Sequence, residues 1–484
     1  MDRATLAARL RDILPADAVV ADEEALRPYA GDALTAYRRL PRVVALPGCI
    51  EEVQAVMRLC ALEGVPVVAR GAGTGLSGGA LPDESGVLLV LARMNRILDL
   101  DPVARTARLE PGVRNLAISE AAAPHGLYYA PDPSSQIACS IGGNVAENSG
   151  GVHCLKYGLT VHNLLGVKLI TADGELLEIG GAALDAPGLD LLALVTGSEG
   201  LLGLVVEVTV RLLPTPAATR VLLAAFDAID AAADAVAAVI SGGIVPAGME
   251  MMDRLAIEAA EDFVAAGYPR DAAAILLCEV DGEPDEVETQ VARVSEILSA
   301  SGATGIRVAR DAAERARFWA GRKAAFPAVG RISPDYYCMD GTIPRRHLAE
   351  VLLEIERLSA TFGLAVANVF HAGDGNLHPL ILYDANAEGE LDRAEAFGAR
   401  ILELCVSVGG TITGEHGVGI EKIDQMCVQF SALELERFHS LKAAFDPDGR
   451  LNPGKAVPTL ARCAELGGMH VHGGELPHPE LERF

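Results

Sequence analysis

Two histidines and one glutamate in the C-terminal half of this 484-residue chain are of the types that bind a metal ion. His371 and His378 enclose a Gly-Asp-Gly turn between two apolar stretches, which predicts a strand, a turn and a strand that bring both imidazoles side by side. Glu415 follows in a glycine-rich turn, next to His416. A single histidine is more often a hydrogen-bonded structural residue, but two imidazoles and a carboxylate together can hold a divalent cation and leave positions open. We expect zinc there, with manganese or iron as alternatives.

A glycine-rich loop follows a predicted strand over residues 65–69. It contains Gly-x-Gly-x-x-Gly at 73–78, but a nicotinamide-binding Rossmann domain also needs a helix directly after the loop. The next predicted element is instead a strand over 87–91, so a nicotinamide site is disfavoured. Successive glycines still let backbone N–H groups converge on a phosphate. The predicted contacts are Arg70, Gly71, Gly73, Thr74, Gly75, Leu76, Ser77 and Gly78.

Two more polar, glycine-rich tracts occur later in the chain, and we expect a polar ligand to hold both of them. The second tract is too polar to bury apolar area, and the third precedes a long predicted strand over 204–212. The candidate contacts of the second tract are Pro131, Asp132, Ser134, Ser135, Gly142, Gly143, Asn144, Asn148, Gly150 and Gly151. Those of the third tract are Glu199 and Gly200.

Three tracts in this order resemble the FAD-binding domain of the vanillyl-alcohol-oxidase superfamily over about residues 40–215. The resemblance implies an α+β fold in which two α+β subdomains hold an extended FAD, followed by a C-terminal α+β substrate domain. The first loop would lie on the pyrophosphate and the second tract near the flavin ring. Members with covalent flavin usually carry a histidine shortly after the first Arg-Gly stretch, where Thr74 stands here, so non-covalent FAD is implied.

The C-terminal segments resemble the second domain of FAD-linked 2-hydroxy-acid dehydrogenases, which include enzymes of D-lactate, glycolate and D-2-hydroxyglutarate. Residues 319–326 and 336–340 are most similar to the glycolate oxidase type of FAD-linked subunit. By this resemblance the two histidines and Glu415 are metal ligands, His416 is the base, Arg322 holds the substrate carboxylate and Asn452 lies near the flavin. The D-2-hydroxyglutarate branch tends to place a lysine near Cys338, and its absence here weakens that substrate.

The implied reaction oxidises a small 2-hydroxy acid, glycolate or D-lactate, to the 2-oxo acid. FAD carries the electrons to a partner. A self-sufficient D-lactate or D-2-hydroxyglutarate dehydrogenase is the alternative of the same class. A non-catalytic FAD-binding subunit of a larger complex would not need the histidine and glutamate set, and a metal hydrolase would leave the three glycine tracts without a role.

The elements that must position these residues divide at Pro214 and Pro216, because two prolines cannot continue a strand. Before them, strands and helices alternate with the glycine tracts, and after them alanine-rich helices alternate with strands, which is typical of a second α+β unit. The predicted units are a lead-in over 1–40, an FAD-binding domain over 41–216, a substrate domain over 217–440, a segment over 441–458 that returns to the FAD site, and a flexible tail over 459–484.

Composition excludes some partners. The 66 acidic residues outnumber 40 basic ones and give a net charge of −26, which disfavours nucleic acid. The nine cysteines form no Cys-x-x-Cys pair, so we expect reduced thiols in a cytoplasmic chain and an iron–sulfur electron carrier on a partner subunit. No uncharged apolar run reaches the roughly 18 residues of a membrane span. Any contact with the inner membrane would be peripheral, through partner subunits.

Overall fold

The computed structural model describes residues 1–183, 188–459 and 462–463. Within them the strands are β1 (Val19–Val20), β2 (Val43–Ala45), β3 (Val67–Arg70), β4 (Val87–Val90), β5 (Ile97–Asp101), β6 (Thr106–Leu109), β7 (Leu127–Tyr128), β8 (Leu164–Ile170), β9 (Leu176–Gly180), β10 (Leu204–Arg211), β11 (Leu213–Pro214), β12 (Ala218–Phe226), β13 (Gly248–Asp253), β14 (Ala274–Gly282), β15 (Gly305–Val308), β16 (Asp335–Cys338), β17 (Val366–Phe370) and β18 (Pro379–Tyr383).

The α-helices of the same described residues alternate with these strands. They are α1 (Arg3–Arg11), α2 (Glu23–Leu26), α3 (Ile50–Glu63), α4 (Asn115–Ala122), α5 (Ile141–Glu147), α6 (Cys154–Tyr157), α7 (Thr160–Asn163), α8 (Leu191–Val195), α9 (Ile229–Ser241), α10 (Arg254–Val264), α11 (Pro284–Ala300), α12 (Ala312–Val329), α13 (Leu348–Phe362), α14 (Glu390–Ser407), α15 (Met426–Gln429) and α16 (Ala432–Phe445). Over the described residues, no helix has the length and apolar character to span a bilayer.

The first sheet has the order β1-β2-β4-β3, with β2, β4 and β3 parallel. The connection from β2 to β3 is the amphipathic helix α3, which buries Val53, Val56 and Met57 against the sheet and ends at Gly64 in the left-handed conformation. Parallel strands β3 and β4 are joined by the glycine loop with no helix between them. This is the arrangement that the sequence predicted when it disfavoured a Rossmann site.

The second sheet is antiparallel, with the order β5-β6-β10-β8-β9. Helix α5, which carries part of the second glycine tract, packs on it through Ile141 and Val145. The expectation that this tract buries no apolar area is therefore wrong. The two apolar side chains lie four residues apart on one helical face, which lets a short, glycine-rich helix contact the sheet.

The third sheet is antiparallel and contains seven strands in the order β15-β12-β14-β13-β17-β18-β16. Side chains of β12 alternate between its faces, so Leu222 and Ala224 join one core and Val221 and Leu223 another. Helices α9, α11, α13 and α14 cover the first face, and α10 and α12 the second. The sheet begins at Ala218, directly after the two prolines.

After α16 the chain returns to the first sheet. The backbone N–H of Val67 donates to the carbonyl of Arg450 at 2.8 Å, and Asn452 donates to the carbonyl of Val67 at 2.8 Å. Asp446 fixes this return, because its buried carboxylate accepts from the backbone N–H groups of Arg450 and Leu451 at 3.1 and 2.7 Å. The C-terminal part of the chain thereby reaches the glycine loop.

One expectation about the cysteines is wrong. Cys427 on α15 and Cys463 form a disulfide, although the sequence suggested reduced thiols throughout. The other seven are free, and six of them are buried. The 36-residue separation of the pair gave no local signal, because its geometry depends on how the chain returns past α16. The predicted flexible tail over 459–484 lies outside the described residues except for residues 459 and 462–463.

Candidate functional site

The three glycine tracts meet around one cavity of about 480 Å³. The loop after β3 forms one wall, the start of α5 a second, and the turn at Glu199 a third. The predicted contacts that line it are Arg70, Gly71, Gly73, Thr74, Gly75, Leu76, Ser134, Ser135, Gly142, Gly143, Asn144, Glu199 and Gly200. The tracts lie far apart in sequence, so their meeting at one cavity is a property of the fold.

Eight other predicted contacts do not line this cavity. They are Ser77, Gly78, Pro131, Asp132, Asn148, Gly150, Gly151 and Asn452. Several of them join the walls: the carbonyl of Ser77 accepts from the backbone N–H of Ile420 at 2.9 Å. The side-chain amide of Asn452 donates to the carbonyls of Gly79 and Glu199 at 3.1 and 2.7 Å. Direct contact of these eight with FAD stays a prediction, and the role that the structure gives Ser77 and Asn452 is to hold the loops.

The second tract is also tied to the third sheet. Asp132 pairs with Nδ1 of His153 at 2.7 Å, and Nε2 of the same histidine lies 3.2 Å from Glu279 on β14. At Gly150, a Cβ atom would lie 2.6 Å from Oε2 of Glu415. Because Gly150 has no side chain, the backbone of the second glycine tract can approach Glu415, a predicted metal ligand, closely.

Unpartnered polar groups show that the cavity suits a polar ligand. The hydroxyl of Ser140 and Oε2 of Glu147 are buried, line the cavity and have no hydrogen-bond partner among the described residues. Buried polar groups are normally hydrogen-bonded, so a bound ligand would supply these partners. Burial and the neighbouring Glu199 raise the pKa of Glu147 well above its ordinary value, which favours a carboxyl group able to donate a hydrogen bond. Sequence reasoning missed both residues.

Gly75 gives a direct test of whether FAD occupies this cavity. A Cβ atom at this position would meet no protein atom within 4 Å, and the residue has no left-handed conformation to preserve. We expect Gly75→Val to leave the melting temperature of the FAD-free protein unchanged but to weaken FAD binding about tenfold or more, because the added methyl groups crowd the ligand. FAD titration followed by fluorescence measures this.

Gly305→Val is the matched control, because Gly305 lies on β15, away from the cavity, and likewise has nothing within 4 Å of its Cβ position. Equal FAD affinity in the two variants would contradict the placement of FAD at this loop.

The hairpin of β17 and β18 positions the two predicted histidine ligands. His371 directly follows β17 and His378 directly precedes β18, and their ring centroids are 5.0 Å apart with the rings perpendicular at 87°. Nε2 of His371 lies 3.2 Å, and Nε2 of His378 3.0 Å, from the same Oε1 of Glu415. All three side chains are at most 10% exposed. Burial opposes ionisation of Glu415, but the two imidazoles lower its pKa well below the ordinary value.

A second group of potential ligands, Cys338, His378 and His416, is also close enough to hold a cation. The rings of His378 and His416 are stacked, however, 4.9 Å apart and inclined by only 11°. The lone pairs of stacked rings lie in parallel planes and do not converge on one point. The perpendicular pair that shares Glu415 is therefore the better cation site.

Two buried carboxylates that the sequence analysis did not single out hold these ligands in place. Glu250 on β13 accepts from Nδ1 of His371 at 2.8 Å. Asp340, just after β16, accepts from the backbone N–H groups of Gly414 and His416 at 3.0 and 2.9 Å, and from that of Glu415 at 3.2 Å. Such outer partners fix the orientation of metal-binding side chains. One sequence signal could have found both residues. Each is an acidic residue inside or beside an apolar strand, and an acidic residue is rarely buried there without a partner.

His416 faces the glycine tracts. It lines the cavity together with His378 and Glu415, and its Nδ1 atom has no hydrogen-bond partner among the described residues. Burial lowers its pKa to about 4, so the imidazole is neutral at physiological pH. A neutral imidazole in this position can accept a proton.

Arg322 does not line the cavity. It is 1% exposed on α12, and its Nε and Nη2 atoms lie 2.8 and 2.7 Å from Oε2 of Glu250. Its neighbour Lys323 lines the cavity instead. That Arg322 holds the substrate carboxylate stays a prediction, and the structure adds that one side of its guanidinium group is already used by Glu250.

Families and individual proteins that resemble this chain cover most of its length. A family model described as FAD binding domain matches residues 41–180, and one described as FAD linked oxidases, C-terminal domain matches residues 215–456. Glycolate oxidase subunit GlcD of Escherichia coli K12 is 64% identical over 100% of this chain and 97% of its own length. D-lactate dehydrogenase of Anaerostipes hadrus is 31% identical, with 92% and 96% covered.

The solved structures agree on the fold. p-Cresol methylhydroxylase with substrate bound superposes with a TM-score of 0.80 at 18% identity, over 95% of this chain and 97% of its own. The predicted vanillyl-alcohol-oxidase-type fold is thereby confirmed.

Proposed function

The chain belongs to the family of FAD-linked oxidases and binds FAD, and from this we propose that it oxidises a small 2-hydroxy acid, glycolate or D-lactate, to the 2-oxo acid. One observation carries the proposal: His378, Glu415 and His416 line the same cavity as the three glycine tracts. A site for proton transfer and a site for a flavin are therefore contiguous. Bound FAD supplies the acceptor for the hydride equivalent, two electrons and one proton, that leaves Cα.

His416 is the proposed base. Its low pKa keeps it neutral, and the residue lines the cavity, so its imidazole can take the hydroxyl proton of the substrate. Asp340 positions it through the backbone hydrogen bond to its N–H group. The stacked ring of His378 restricts rotation of the imidazole.

His371, His378 and Glu415 are the proposed ligands of a divalent cation, with zinc favoured over manganese and iron. The shared oxygen, the perpendicular rings and the ionised carboxylate fit such an ion. When bound, the cation supplies a positive charge that lowers the pKa of the substrate hydroxyl. Glu250 orients His371 from the far side and links it to Arg322, which we propose as the cation that attracts the substrate carboxylate.

We further propose that the electrons leave through partner subunits that include an iron–sulfur carrier. The support is that the relative at 64% identity is named as a subunit, and that the cysteines of the chain lack the spacing of cluster ligands. On this proposal the chain is cytoplasmic and reaches the membrane only through those partners. The D-lactate dehydrogenase at 31% identity supports the alternative of a self-sufficient D-lactate enzyme.

Anaerobic mixing tests the reaction. The FAD-loaded protein is mixed with glycolate, D-lactate, L-lactate or D-2-hydroxyglutarate, and the flavin absorbance is followed. We expect glycolate or D-lactate to bleach the flavin, whereas acetate, which has no hydroxyl group, leaves it oxidised. A flavin that stays oxidised with every acid would contradict the proposed function. Steady-state assays with an artificial acceptor and with oxygen then distinguish the partner-dependent from the self-sufficient enzyme.

A further inference from the structure

Two aromatic side chains form the wall of the cavity beside the proposed ligands. Phe326 lies on α12 and Tyr336 on β16, both half-buried, and both line the cavity with His378 and His416. The ring of Phe326 stands edge-on to Tyr336 at 5.9 Å and to His378 at 6.4 Å. Such edge-to-face contacts hold aromatic rings in defined orientations. The wall is therefore a fixed boundary beside the imidazole that stacks on the proposed base.

A second cavity of about 150 Å³ lies behind this wall. It shares Ala33, Leu76 and Tyr336 with the main cavity, and the rest of its lining comes from residues 34–36, the segment around β16, and Tyr383. Because the same three residues line both spaces, they form the partition between them. Phe326 lines only the main cavity and packs against the Tyr336 part of the partition.

We propose that Phe326, braced by Tyr336, sets the upper size limit of the substituent on C2 of the 2-hydroxy acid. This inference rests on the proposed function. An acid whose hydroxyl proton goes to His416 must lie against His378 and His416, and Phe326 packs on the ring of that same His378. The room left for the C2 substituent is then bounded by the phenyl ring. On this proposal the pocket accepts a hydrogen or a methyl group on C2, whereas longer alkyl chains meet the ring.

The size of the expected change in substrate preference follows from how strongly apolar pockets discriminate between substrates of different length. One methylene group too many or too few in such a pocket changes kcat/KM by about 10- to 200-fold. Removing the phenyl ring should therefore raise kcat/KM for longer substrates, relative to that for glycolate, by a factor within this range. The neighbouring second cavity offers space into which a rearranged Tyr336 or a longer substituent can move.

The test compares FAD-loaded Phe326→Ala with the parent chain. Steady-state kcat/KM is measured with an artificial electron acceptor for glycolate, D-lactate, D-2-hydroxybutyrate and D-2-hydroxyvalerate. We expect the ratio of kcat/KM for the two longer acids to that for glycolate to rise by about 10-fold or more in the variant. Phe362→Ala is the matched control, because Phe362 stacks on Phe397, and neither lines the cavity. Its ratio should equal that of the parent.

An unchanged ratio in Phe326→Ala with FAD still bound would overturn the inference. If this variant does not fold, Phe326→Leu replaces it, with D-2-hydroxybutyrate expected to gain most, and an unchanged ratio again counts against the proposal. Failure of the proposed function is seen separately, because the parent flavin would then stay oxidised with glycolate and D-lactate as well. In that case the inference fails together with the function on which it rests.

Discussion

Replacing His416 by alanine is expected to lower the rate of flavin reduction by about 10²- to 10⁴-fold, the usual contribution of a positioned general base. The imidazole lines the cavity, is kept neutral by burial and has an unengaged nitrogen. FAD should remain bound, because the glycine tracts that surround it come from other parts of the chain. Stopped-flow reduction by glycolate, with FAD content determined by absorbance, measures both quantities.

His439→Ala is the control for this substitution. Nε2 of His439 contacts the carbonyl of Pro458 at 2.9 Å, and the side chain does not line the cavity. It should reduce its flavin at the parental rate. If His416→Ala also kept the parental rate, the base would lie elsewhere, whereas a parent chain that never turns over would favour the non-catalytic FAD-binding subunit.

Local patterns were enough to predict many of the elements. The turn between His371 and His378, with apolar stretches on both sides, predicted the hairpin that places both imidazoles beside each other. The strands predicted over 65–69, 87–91 and 204–212 correspond to β3, β4 and β10. These features depend on the alternation of apolar residues and on the residue types of turns. Both are determined by residues that are close together in sequence.

Contacts between segments that are far apart in sequence could not be predicted from such local patterns. Glu199 accepts from the backbone N–H groups of Val418 and Gly419 at 2.7 and 2.6 Å, and so fixes the turn that follows His416 to the third glycine tract. Glu250 on β13 contacts His371 at the end of the neighbouring strand β17, although 121 residues separate them in sequence. No periodicity relates such partners, because their meeting depends on how complete sheets and helices pack. The resemblance to known enzymes suggested the metal ligands, whereas the carboxylates that contact the two histidines and Glu415 could be found only in the structure.

The second glycine tract shows a related limit. Its polar and glycine content suggested that it buries no apolar area, but α5 is a helix that buries Ile141 and Val145, while Gly142 and Gly143 line the cavity. The two apolar residues are four positions apart, which is enough for one helical turn of contact with the second sheet. Tertiary packing therefore outweighed the low helix propensity of the glycines.

Glu415→Gln is expected to remove the divalent cation and most of the activity while it preserves the shape of the side chain. Glu415 is the only negatively charged residue of the proposed ligand set, and both imidazoles approach one of its oxygens. An amide in its place is a much weaker ligand. Replacing even an outer partner of a metal ligand commonly costs about 10- to 100-fold in affinity, so we expect a loss of at least about 100-fold in metal affinity here, with a comparable fall in the rate of flavin reduction.

The measurements for Glu415→Gln are metal content per FAD by elemental analysis and the reduction rate before and after addition of zinc, manganese or iron. Glu350→Gln is a matched control, since Glu350 pairs with His347 at 3.0 Å on the surface, as a His–Glu pair outside the cavity. Parental chain treated with a chelator should lose activity and regain it with the same metal that it originally contained, whereas Glu415→Gln should respond only to a large excess of that metal. Parental rates in Glu415→Gln, or full activity in a parent shown to be free of metal, would mean that His371, His378 and Glu415 form a hydrogen-bonded cluster that serves the reaction through its polarity alone.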